Sequence, residues 1–155
     1  MTAPKALLVT ITAVAATAAV MPMATSAAEP ETVGTVVHVV IQQSFEQTAD
    51  ADQCVGAGPL AAVRRGSSAV LMEGSASSDT PKVAVGQFFR SRMKDGACEA
   101  LFITSAPVMP SFNVQFAGPG AELSPTFGPI PSEQVTDQPG IQQAVLIDMD
   151  VQRPT

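Results

Sequence analysis

The chain has 155 residues, of which 46% are hydrophobic and 14% charged, with a net charge of −6 and a pI near 4.5. That length fits one domain, and the acidic balance excludes a general nucleic-acid binder, which needs a basic stripe to meet phosphates. With no Trp and no Tyr, the usual stacking platforms of sugar sites and two of the commonest interface anchors are missing.

The first element expected is a secretory signal peptide over residues 1–28. Lys5 and the amino terminus form a short cationic start, Ala6 to Val20 is an uncharged and mostly apolar run of 15 residues, and Met21-Pro22 breaks it before Thr25-Ser26-Ala27-Ala28. A run of that length falls short of the roughly 20 residues that span a bilayer. Cleavage near Ala28 is therefore expected, leaving 29–155 as a single secreted or envelope-associated domain without a transmembrane segment.

Past the signal the periodicity is that of strands. From Thr32 to Gln42 the odd positions Val33, Thr35, Val37, Val39 and Ile41 form one β-branched face. Ser44 to Gln53 is a polar stretch, and Val55 to Pro59 is a Gly-rich turn. Ser68 to Glu73 reads as a short buried strand. After a small polar loop, Lys82 to Phe89 resumes with Val83 and Val85 on one face. Arg90 to Gly96 reads as a charged connection ending in an Asp-Gly turn signal, and Ala97 opens another strand. Phe112, Val114 and Phe116 alternate inward against Asn113 and Gln115. Residues 118–140 hold five prolines and four glycines, a composition that predicts a loop because proline lacks the ladder N–H. The last strand, Gln142 to Val151, is expected to face the core with Val145, Ile147, Met149 and Val151. Six or seven short strands without a helical period predict an antiparallel β-sandwich of the immunoglobulin-like kind, with a small barrel as the alternative.

Cys54 and Cys98 are the only cysteines, and in an exported chain they most simply pair with each other. One His and no Cys-x-x-Cys give too few ligands for a transition-metal site. Asp50/Asp52 and Asp148/Asp150 each place two carboxylates on one strand face, well short of the six to eight oxygens that calcium takes. No metal and no cofactor are expected. Gly56-x-Gly58-x-x-Ala61 lacks the strand-turn-helix setting of a dinucleotide site, and His38 has no nucleophile and orienting carboxylate beside it in any known motif. The chain is read as a non-enzyme.

Charge is unevenly spread. Arg64, Arg65, Lys82, Arg90, Arg92 and Lys94 all lie between the cysteines, a segment of charge +3 flanked by −5 on either side. Arg64, Arg65, Arg90, Arg92 and Lys94 are the candidate contacts for an anionic partner, either another protein or an envelope polymer. The competing expectation is internal neutralisation by acidic neighbours. A separate possibility is an inhibitor-like domain presenting the Pro-rich Ser124 to Pro131 segment.

The run from Cys54 through Gly56-Ala-Gly-Pro-Leu to Gly66-Ser-Ser-Ala-Val, then Gly86-Gln-Phe, Cys98-Glu-Ala-Leu-Phe and Pro110-Ser-Phe-Asn-Val-Gln-Phe, resembles small secreted or envelope-attached actinobacterial two-cysteine β-domains. The resemblance covers residues 54–127. This chain departs from that group in lacking a lipobox and the tyrosines expected near the first turn and in the later strand. It implies a sheet stapled by the Cys54–Cys98 pair and no particular chemistry.

Overall fold

The computed structural model describes residues 28–50, 52–74 and 81–147, with 145–147 described as backbone alone. The expected signal segment, Ala28 apart, and the Asp148/Asp150 pair lie outside those residues. The described strands are β1 (Thr32–Ile41), β2 (Phe45–Gln47), β3 (Cys54–Gly56), β4 (Ser68–Glu73), β5 (Lys82–Lys94), β6 (Ala97–Pro107), β7 (Ser111–Ala117), β8 (Leu123–Gln134) and β9 (Ile141–Ile147).

Seven of these close into a barrel in the order β1-β6-β5-β4-β7-β8-β9, which corrects the expected sandwich. The reason lies in β1. It pairs antiparallel with β6 from Thr32↔Pro107 to Ile41↔Cys98, and on its other edge parallel with β9 from Gly34↔Ile141 to Val40↔Ile147. A strand without proline can bond along both edges, and once the last strand docks on the first no edge pair is left to define two separate sheets.

The Pro-rich segment is also corrected. Much of it is strand β8, which pairs with β7 through two register shifts and meets β9 only at Ser132, Glu133 and Gln134. Pro125, Pro129 and Pro131 are tolerated because most of β8 has one ladder partner and that ladder is irregular. The charged stretch before Gly96 is likewise strand, the end of β5. Asp95 and Gly96 alone make the turn, both at positive φ (51° and 79°), as a two-residue hairpin loop of the primed type requires.

The interior is filled by side chains, as a barrel of this size demands. Val37, Val39 and Ile41 of β1, Phe102 of β6, and Phe112, Val114 and Phe116 of β7 are fully buried. Phe102 meets Phe88 edge-on at 5.6 Å and Phe116 at 5.2 Å between ring centroids, spacings at which aromatic pairs attract. Two expected faces differ. On β5, Val83 packs against the core while Val85, expected on the same face, is exposed. Among the described side chains of β9 the buried ones are Gln142 and Ala144, of the series expected to face outward, while the side chains of Val145, Ile147, Met149 and Val151 lie outside the described set. Gln142 reaches the interior because its amide is fully used there: Nε2 donates to Thr35 Oγ1 (3.0 Å) and to the Pro107 carbonyl (2.6 Å), while Oε1 accepts from the Met109 N–H.

Residues between β1 and β4 cap one end of the barrel. The β2–β3 hairpin and a 3-10 turn at Gly58–Leu60 bring Leu60, Ala62 and Val63 into the core. Gly56 is required in this cap, since a Cβ there would overlap the Leu60 carbonyl. The Cys54–Cys98 disulfide ties β3 to the start of β6, with both residues fully buried and no free cysteine.

Candidate functional site

Strand β5 changes neighbours halfway along. Lys82 to Gln87 pair with β4, and beyond them the cap takes over: Met93 N–H donates to the Asp52 carbonyl (2.9 Å) and Ser91 Oγ to that of Cys54 (2.7 Å). Between the end of one neighbour and the start of the other lies a groove of about 520 Å³. Its walls are Cys54 and Val55 on the cap side, Arg65 and Gly66 at the turn into β4, and Phe88 to Ser91 on β5.

At this point β5 also carries a bulge. Phe88 faces Phe102 and Arg90 faces Leu101, so Phe89 is an extra residue without a partner on β6. Phe88 packs on the core, while Phe89 is 58% exposed. The Arg90 guanidinium lies 5.7 Å from the Phe89 ring centroid, within cation–π range. After the bulge Ser91 and Met93 turn inward, and Arg90, Arg92 and Lys94 all face out.

The five expected cations separate into two groups. Arg92 Nε and Lys94 Nζ converge on the Glu99 carboxylate at 3.0 and 3.3 Å, and His38 Nε2 lies 3.5 Å from it. Glu99 is only 11% exposed. Burial pushes its carboxyl upward, but hydrogen bonds from Arg92 and Lys94 and the charges of Lys94 and His38 outweigh that and hold it below its ordinary value. Arg64 is paired with Glu122, whose carboxyl is lowered by that hydrogen bond first, helped by the Gly120 N–H. Arg65 and Arg90, by contrast, make no ion pair among the described residues, and both line the groove. Internal neutralisation thus holds for Arg64, Arg92 and Lys94, and leaves two cations together at one concavity.

His38 is half-buried between Glu99 and Gln143, whose Nε2 lies 3.2 Å from Nδ1. Ser67 binds the Arg64 backbone as part of the turn into β4. Among the described residues no group of three or more His, Cys, Asp or Glu side chains converges, and no helix is long and apolar enough to cross a membrane.

Sequence reasoning missed Phe89 and the groove. The sequence carries no clear signal for them, because apolar residues occupy both parities of Lys82–Phe89; only the structure shows the inward series passing from Ala84, Gly86 and Phe88 to Ser91 and Met93 across an inserted residue. Fold and site together define a small closed β-barrel with a disulfide-clamped cap and a surface groove. No protein-family model, curated protein or solved structure matches the chain.

Proposed function

We propose that the chain is an exported, non-catalytic binding module that contacts an anionic partner through the groove beside the β5 bulge. One observation carries this reading: an inserted residue turns a phenylalanine out of the barrel and sets it against an arginine that has no carboxylate partner. Bulges commonly re-aim a side chain, and an exposed aromatic beside an unpaired arginine has the composition of an interface anchor. The buried disulfide favours an oxidising compartment. One support for another reading falls away. Ser124 to Pro131 is built into β8 with Ser124 and Ile130 buried, so it is not a free loop of the kind an inhibitor presents. His38 is held by Glu99 and Gln143, contacts that suit a strand histidine packed on its neighbours.

The test is crosslinking and capture of partners from the native culture supernatant and cell envelope with the wild-type chain and its Phe89→Ala and Arg90→Ala variants. Capture should fall with both variants and persist with Arg92→Gln. Equal capture by wild type and both groove variants removes the proposal.

A further inference from the structure

We infer that the occupant of the groove is an extended segment of another protein in which a single carboxylate side chain neighbours an apolar one. This inference rests on the binding reading above and narrows it to one class of partner. Its first ground is the number of available cations. A polyanion such as a phosphate polymer repeats its charge along its length and is best met by a row of free cations. The row on β5 is interrupted, because Arg92 and Lys94 are committed to Glu99 and only Arg90 remains, with Arg65 across the groove.

The second ground is the lining. Val55, Phe88 and Phe89 supply apolar surface, and Thr48, Gln53 and Ser91 supply polar groups beside it. A ligand that is charged throughout would leave that apolar surface unused. A peptide places a carboxylate and an apolar side chain within one or two residues, matching a groove lined by two arginines as well as by apolar side chains. Its volume is that of an ordinary ligand cleft.

The test uses the folded, disulfide-intact chain and fluorescence anisotropy with three probes: extended peptides carrying one Asp or Glu next to Leu, Ile or Phe; the same peptides with Asn or Gln in place of the acid; and an inorganic polyphosphate. The acidic-apolar peptides should bind, and Arg65→Ala and Arg90→Ala should each weaken them by about tenfold or more, the loss of one charge-assisted contact. Arg92→Gln should stay within about twofold, as expected of an exposed charge already paired. Amide shifts on peptide binding should centre on Gln53, Phe89 and Ser91. Preference for polyphosphate, with sensitivity to Arg92 and Lys94 changes, overturns the inference while leaving an anionic-partner module in place. Peptide binding that ignores both Arg65→Ala and Arg90→Ala overturns it too, and absence of binding to all three probes with no capture from the envelope overturns both readings.

Discussion

Glu99 collects two strand cations and a histidine on the outer wall of the barrel, and its carboxyl is held below the ordinary 4.5. A group whose pKa is depressed by folding adds stability that is present above the unfolded value and is lost as pH falls through the lower folded value. A Glu99→Gln variant should therefore be less stable than wild type at neutral pH, and the gap should close as the pH drops below 4.5. Urea midpoints measured across that range check this. A gap that stays constant would assign the effect to packing. Gln142 is the second decisive residue. Replacing it with Leu keeps the volume but removes the hydrogen bonds that Thr35 Oγ1, the Pro107 carbonyl and the Met109 N–H make with the amide, with an expected loss of about 1 to 3 kcal/mol. Neither partnership was visible in the sequence. The Gln142 amide meets groups up to 107 positions away, and alternation alone placed the polar residue outside.

Strand β5 is the element in which function and fold part company. If Phe89 is deleted, Phe88 still points in, Arg90 takes the place opposite Leu101, and Ser91 and Met93 keep their inward phase. The inserted residue is thus unnecessary to the barrel. The Phe89 deletion should fold with a thermal midpoint equal to or above that of wild type, since an exposed phenylalanine contributes little burial, while groove binding is lost. A large drop in stability would show that the bulge serves the fold instead. Elements with strict alternation were legible from sequence: β1 buries the face its period assigns, and β7 buries Phe112, Val114 and Phe116 as expected, although Asn113, expected outward, is buried as well. The Asp95-Gly96 turn was legible as well, because its chemistry demands positive φ. Strand β8 was not. Its prolines argue against a ladder, and the interrupted pairing that accommodates them depends on where β7 and β9 lie.

At the scale of the whole molecule, closure sets the architecture. The pairing of the first barrel strand with the last is a non-local event that strand counting does not reveal, which is why a sandwich and a barrel read alike in the sequence. The disulfide is the other long-range constraint, and its two ends were evident because there were only two cysteines. Within the chain-entropy account, removing it costs about 4 kcal/mol for the enclosed loop. Because the disulfide anchors β3, whose Val55 lines the groove, the Cys54→Ala/Cys98→Ala double variant should lose peptide binding at denaturant concentrations where the barrel itself persists. Simultaneous loss of binding and of the far-ultraviolet circular dichroism signal would show that cap and barrel unfold as one unit.

The parallel pairing of β1 with β9 fixes how the molecule can be held. Both strands run toward the capped end, with Val40 opposite Ile147 there and Gly34 opposite Ile141 at the far end. A linker placed ahead of β1 therefore grips the barrel from the pole away from the groove, whereas one attached just after β9 leaves beside it. Anchored by its amino-terminal side to a bead or a surface, the barrel presents its cap outward. Anchored by the other side, it turns that cap toward its own support.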